Sequence, residues 1–297
     1  MGEAALLQGS SETPRKTDPH SSTQLMANRR SSLQTVNGDP AGNLPGDESD
    51  RGGVWARVLC GILLPLLIFS GCDALESEPP GTERDFDFST STHGWEAFFT
   101  DYPVGEAGDM ELTSGHRSLP DSNGLSGKGL FISGVNHSDD LKMLFRRRIE
   151  GLTPSATYRI RFRVEFATSA PSDCAGIGGA PGEAVKVIAA AEEEKPKQFV
   201  EEAGREDWYR LNVQHEGDPQ RWYQSRILGH IANSRSCEEP DAFEMKTLTS
   251  KAGHDTVTTD EEGRVWLLFG TRSGFEGKTS LFYTRFRAEL RRARGVG

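Results

Sequence analysis

The residues of this chain best suited to chemistry form three sets: acidic side chains beside a Gly-containing turn, tryptophans flanked by polar groups, and four cysteines. Asp139 and Asp140, following Gly134-Val135-Asn136, offer hard oxygen atoms to a calcium ion. Calcium takes about six to eight oxygens, so Asp85 and Asp87 would have to converge on the same loop. The competing expectation is a solvated turn in which Asn and Asp bond their own backbone. In Trp208-Tyr209-Arg210 and Trp222-Tyr223-Gln224, aromatic rings stand beside hydrogen-bonding side chains. That combination suits a sugar, whose C–H face stacks on a ring while its hydroxyls bond to polar neighbours. Packing beneath a long loop is the alternative, and Trp95 and Trp266 are expected in the core. Of the cysteines, Cys60 lies in an apolar run and Cys72 directly behind it, which leaves Cys174 and Cys237 as an isolated pair. Neither belongs to a C-x-x-C motif, and two thiols are too few for a zinc site. One disulfide in an oxidising compartment is expected.

Catalytic constellations are sparse. The loop Gly176 to Gly182 is followed by Glu183 and a strand pattern rather than by Lys-Ser/Thr and a helix, so it is a tight turn and not a nucleotide site. No Gly-x-Ser-x-Gly elbow or His-Glu-x-x-His helix occurs. A jelly-roll polysaccharide lyase or hydrolase remains the enzymatic alternative, with Arg159, Arg161, Arg163, Tyr283, Arg285 and Arg287 lining one sheet face. A non-catalytic binding module is the main expectation. The formal charge of −10 argues against a nucleic-acid partner.

The elements that must position these residues begin with a segment of a different kind. Val58 to Phe69 is apolar, preceded by Arg51 and Arg57 and closed by Ser70-Gly71 before Cys72. This resembles a bacterial lipoprotein signal and implies lipidation of Cys72, with Phe69 standing where leucine is usual. A transmembrane helix needs about 17–25 apolar residues, more than this run supplies, and Pro65 interrupts it. Asp73 after Cys72 resembles an inner-membrane retention signal. The expected organisation is a polar extension or misassigned start over 1–53, a signal over 54–72, a flexible tether over 73–84, a β-domain over 85–290 and a tail over 291–297. The expected location is the bacterial cell envelope, facing the periplasm or the exterior, with a membrane anchor and a glycan or an envelope protein as partner.

The β-domain is read from period-two patterns. Tyr158, Ile160, Phe162, Val164 and Phe166 alternate with Arg159, Arg161, Arg163 and Glu165, which is a half-buried antiparallel strand. The same alternation places Phe282, Thr284, Phe286, Ala288 and Leu290 on one face of a closing strand and Tyr283, Arg285, Arg287 and Glu289 on the other. Eleven further short strands are expected, including Met110 to Thr113. Ala189 to Glu194 with Glu201 to Glu206 is expected as a short surface helix or a charged loop, and Arg287 to Arg294 as fraying into helix. Many short strands separated by turns such as Ser122-Asn123-Gly124 predict an all-β antiparallel sandwich.

Gly151-Leu152-Thr153-Pro154 entering Tyr158 to Phe162, the opening Asp85-Phe86-Asp87-Phe88 with Gly94-Trp95, and the closing strand Leu281 to Leu290 are similar to jelly-roll carbohydrate-binding modules of the galactose-binding-like group. The resemblance implies that fold and a carbohydrate ligand. Thr284 and Arg285 stand where that family has paired aspartates, which argues against its calcium site. Asn136 to Leu141, Gly176 to Glu183 and Gly270 to Gly277 also resemble a set of bacterial secreted or lipid-anchored proteins with no assigned activity.

Overall fold

The computed structural model describes residues 81–137, 140–202, 204–214, 222–223 and 225–294. The signal segment with Cys72, and Asp139 and Gln224 among the candidate residues, lie outside the described residues. Two antiparallel sheets face each other. The first runs β12 (Glu244–Thr249), β7 (Thr157–Thr168), β15 (Lys278–Arg292), β5 (Lys128–Val135) and β4 (Thr113–Ser118), with β13 (Asp255–Thr258) also paired to β7 and β1 (Thr82–Asp87) also paired to β15. The second runs β11 (Ile227–His230), β8 (Val185–Glu192), β14 (Val265–Ser273), β6 (Lys142–Ile149) and β2 (Glu96–Thr100). A small third sheet joins β3 (Tyr102–Pro103), β10 (Trp208–Leu211) and β9 (Gln198–Glu201). Because β6, β7 and β8 alternate between the two large sheets, as do β14 and β15, the arrangement is a jelly-roll sandwich.

The alternation read in β7 is what closes the core. Tyr158, Ile160, Phe162, Val164 and Phe166 all point inward and are buried. They meet an aromatic cluster in which Phe269 stacks on Phe286 at 4.6 Å between centroids, with Trp95 packed edge-on against both at 4.7 and 5.1 Å. Each such ring contributes about 1.5–3 kcal/mol through burial alone, so this layer is a main source of stability.

The closing strand departs from the expected alternation. Register against β7 slips between Tyr283 and Arg285, a β-bulge in which one strand gains a residue over its partner. Beyond the bulge Phe286, Ala288 and Leu290 point inward as expected; before it the phase is reversed. Tyr283 therefore lies in the core against Phe145, Phe166 and Phe269, while Phe282 packs outside with Phe131 and Phe243. A residue this enclosed cannot meet a polymer, which removes it from the lyase-type face.

Other expectations shift for local reasons. Of the segment expected as a short surface helix or a charged loop, Ala189 to Glu192 belongs to β8, where the expected strand Ala184 to Ala190 extends further, and Glu201 ends β9, while Arg287 to Arg292 continues β15 instead of fraying into helix. Strand β4 starts at Thr113, where Met110 to Thr113 was expected. β1 begins at Thr82, three residues ahead of Asp85. Cys174 and Cys237 form the expected disulfide, with Cα atoms 5.3 Å apart. The glycine loop folds beside it: a Cβ on Gly182 would lie 2.5 Å from the Pro171 carbonyl oxygen, so only glycine allows this approach.

The Tyr283 hydroxyl is fully enclosed and has no hydrogen-bond partner among the described residues, and burial pushes its phenol pKa upward. An unsatisfied buried hydroxyl costs about 1–3 kcal/mol. Tyr283→Phe is accordingly expected to leave stability unchanged or raise the thermal midpoint, as read by calorimetry; a marked loss of stability would contradict this packing.

Candidate functional site

The second sheet is apolar on both faces, and this determines where a ligand can bind. Its strands contain consecutive apolar residues, as in Met143-Leu144-Phe145, Val187-Ile188-Ala189 and Leu267-Leu268-Phe269. Alternate members fill the main core, and the rest (Leu144, Ile188, Ala190, Leu268, with Phe98) point to the opposite face. A sheet with both faces apolar must be covered on both. The cover comes from the chain that leaves β8 and returns at β11: Leu211, Val213, Trp222 and Tyr223 pack on the outer face.

Trp222 and Tyr223, expected on an exposed sugar platform, are therefore only 9% and 7% exposed. Trp222 donates its indole N–H to Glu192 Oε1 at 3.0 Å, and the Arg272 guanidinium lies 4.4 Å from the Tyr223 ring centroid. Their neighbours Trp208, Tyr209 and Arg210 sit on β10. Trp208 is half-buried with the Arg210 guanidinium 4.3 Å from its ring centroid, and Tyr209 packs on Tyr102 at 5.0 Å. None of these five residues forms an open aromatic shelf.

Two charged clusters fasten the cover. At one end Lys142 and Asp101 form an ion pair at 2.8 Å with side chains 4% and 2% exposed. Burial lowers the Lys142 pKa, opposed by Asp101. Arg210 reaches Asp101 at 3.5 Å and Glu201 at 3.1 Å, tying β10 to this pair. Asp140 joins the same network through Arg210 at 4.0 Å and also accepts from Arg272 Nε at 2.9 Å. At the other end Arg226 lies between Glu192 (3.7 Å) and Asp255 (3.4 Å). Asp255 Oδ2 also accepts from the Ala191 N–H at 2.8 Å.

The described members of the proposed calcium set, Asp85, Asp87 and Asp140, are not brought together. Asp85, on β1, is held by Arg285 at 2.7 Å and by Arg287 at 3.0 Å, contacts that keep its carboxyl below the usual range. Asp87 accepts from the Ser89 N–H at 2.8 Å. Asp140 stands at the start of β6, in the facing sheet, engaged by Arg272. Asn136, instead of facing solvent, is buried and donates to the carbonyls of Ser273 and Phe275, both at 3.0 Å. Among the described residues no group of three or more His, Cys, Asp and Glu side chains is placed to hold a metal. The arginine face of the first sheet is interleaved with acids: Arg163 pairs with Glu165 at 2.9 Å, and Arg285 and Arg287 with Asp85.

The open concavity lies elsewhere. A groove of ≈ 870 Å³ is walled by Arg84, Arg146, Arg147, Arg148, Lys195 and Trp266, with Phe86 and His93 from the first strand and the turn after it. Trp266 was expected in the core, but it faces outward on β14 at the edge of the cover and is half-buried, with the Lys195 ammonium 5.1 Å from its ring centroid. The consecutive apolar residues of β14 concealed this. Only the run of arginines at 146–148, at the end of an otherwise apolar strand, signals an accessible site in the sequence.

No family model matches the chain, and no curated protein matches it. Solved structures are similar at low identity. The enzymatically active domain of tailspike protein 4 from bacteriophage CBA120 aligns with 64% of this chain at 9% identity and a TM-score of 0.26. A carbohydrate-binding module of the β-sandwich superfamily aligns with 70% at 10% identity and 0.30, and the K1 cleaved adhesin domain of Lys-gingipain from Porphyromonas gingivalis with 72% at 12% identity and 0.30. The alignments span 19%, 61% and 100% of those chains respectively.

Burial, opposed by Arg226 and reinforced by Asp255, raises the Glu192 pKa from 4.5 to about 8, and burial raises Asp255 as well. For a carboxyl group raised on folding, the native state holds more protons than the unfolded chain between the two pKa values, so stability falls as pH rises through that interval. The thermal midpoint is expected to drop between about pH 5 and about pH 8, a fall that Glu192→Gln reduces while keeping the acceptor for Trp222. A midpoint rising over this interval in the wild type would contradict the burial of Glu192.

Proposed function

We propose that this chain is a carbohydrate-binding module held at a bacterial cell envelope through a lipid on Cys72, and that its ligand site is the groove at Trp266. The observation that carries the reading is the pairing, in this open groove, of a partly exposed indole with side chains that have donors to spare. A sugar ring stacks on such an indole and its hydroxyls accept from guanidinium groups, which supply several N–H donors in a fixed plane. The fold adds support of a general kind, since rigid strands position the groove and leave it little to reorganise on binding. The two carboxylates that line the groove are each engaged by cations, Glu96 by Arg146 and Lys195 and Glu150 by Arg148, whereas a glycosidase needs such a pair free to reach the scissile bond. A binding role is preferred on that ground over a lyase or hydrolase.

Attachment at Cys72 is supported by the apolar run and small residues ahead of it. The Cys174–Cys237 bond fits an oxidising compartment. A role as a purely protein-binding envelope component has less support, because the large exposed apolar side chains Ile177, Val200 and Met245 belong to three different segments.

A glycan array probed with the wild type, Trp266→Ala and Trp222→Ala tests the reading. Trp266→Ala is expected to lose binding by about tenfold or more with the thermal midpoint nearly unchanged. Trp222→Ala is expected to cost about 3–5 kcal/mol of stability through the cavity it leaves. Retained glycan binding in Trp266→Ala would overturn the assignment of the groove, and labelling with a fatty-acid analogue that leaves the wild type unmarked would overturn the anchor.

A further inference from the structure

We infer that the ligand of the Trp266 groove is an acidic sugar whose carboxylate is received by Arg147, an inference that rests on the glycan-binding reading and narrows its ligand class. The chain as a whole carries a charge of −10, yet this groove gathers five cationic side chains against two carboxylates. Those carboxylates are already engaged: Glu96 by Arg146 at 3.2 Å and Lys195 at 3.6 Å, Glu150 by Arg148 at 2.9 Å. Arg84 donates to the backbone carbonyl of Glu150 at 2.8 Å.

Arg147 is different. It occupies the inward-facing register of β6, which Met143, Phe145 and Ile149 fill with apolar core. Its guanidinium lies 4.6 Å from the ring centroid of Phe86, and its Nη1 is enclosed without a hydrogen-bond acceptor. Among the described residues it has neither an ion pair nor a hydrogen bond. Burial with no opposing charge depresses its pKa. Enclosing even one nitrogen of a guanidinium without an acceptor is unfavourable, so a position serving the fold alone would be better filled by an apolar side chain. An anion from outside restores the missing partner. The planar fork of arginine matches a carboxylate through two parallel N–H···O bonds, and Trp266 supplies the stacking surface for the ring that bears it.

Titration calorimetry of the full-length protein tests this with three probes: trigalacturonate, its neutral methyl ester, and inorganic phosphate. Trigalacturonate is expected to bind, more weakly as salt rises from about 50 to about 500 mM, and the ester to bind about tenfold more weakly or less. Phosphate alone should compete poorly. Arg147→Gln should lose about tenfold in affinity for trigalacturonate with its thermal midpoint equal to or above wild type, and Arg147→Lys should fall between the two. Equal affinity for acid and ester, or wild-type affinity in Arg147→Gln, overturns the role of Arg147. If the ester still loses its binding in Trp266→Ala, the glycan reading survives that result. Phosphate displacing the trisaccharide at equal concentration contradicts a sugar ligand in favour of a bare anion site. A protein that binds neither the acid nor any neutral oligosaccharide overturns both readings.

Discussion

A sheet that is apolar on both faces cannot stand at the surface of a protein in water, and the architecture of this chain follows from that constraint. The strands β6, β8 and β14 send one set of side chains into the sandwich and another to the opposite side, where Leu144, Ile188, Ala190 and Leu268 require a cover. The chain between β8 and β11 supplies it, with Leu211, Trp222 and Tyr223 as its apolar contacts. Charged clusters fasten the cover at both ends, Lys142–Asp101–Arg210 at one and Glu192–Arg226–Asp255 at the other. Buried ion pairs are weak sources of net stability but are costly to break singly, which suits them to holding a segment in one register.

The cover has a functional consequence. The broad face of a jelly-roll sheet is a natural platform for an extended ligand, and here that face is filled by the protein's own chain. The uncovered part is the margin, lined from β1, β2, β6 and β14 where the cover has only begun, at Lys195, and recognition is proposed there. The margin holds the partly exposed Trp266 and a concentration of guanidinium groups set in an otherwise acidic molecule. Position and charge therefore arise from one cause, since residues not needed to pack against the cover are free to face a ligand.

Much of the fold was legible in the sequence because β7 alternates without interruption from Tyr158 to Phe166, and its period of two leaves a single orientation compatible with a core. The cysteine pair was legible by elimination. The closing strand was legible in its outer half alone, because a bulge at Tyr283 to Arg285 changes phase by one residue and side-chain types do not announce it. The site was the least legible part. Trp222 and Tyr223 stand among polar neighbours in sequence and looked exposed, whereas Trp266 stands among leucines and looked buried. Their true environments are set by which face of the second sheet is covered, a tertiary relation that local pattern does not contain. The clue lay in the unbroken apolar runs of β8 and β14, which mark strands buried on both sides. Arg147 gave no signal as an individual, because its meaning depends on its side chain having no acceptor or counter-charge among the described residues.

The central claim is that the outer face of the second sheet is permanently occupied and that recognition takes place at the Trp266 margin. Hydrogen exchange measured with and without a bound oligosaccharide tests it most directly. The account predicts added protection at 93–96, at 146–150 and around Trp266, with exchange in β9, β10 and the Trp222 turn unchanged. Protection gained in β9, β10 and the Trp222 turn, with the margin unaffected, would contradict it.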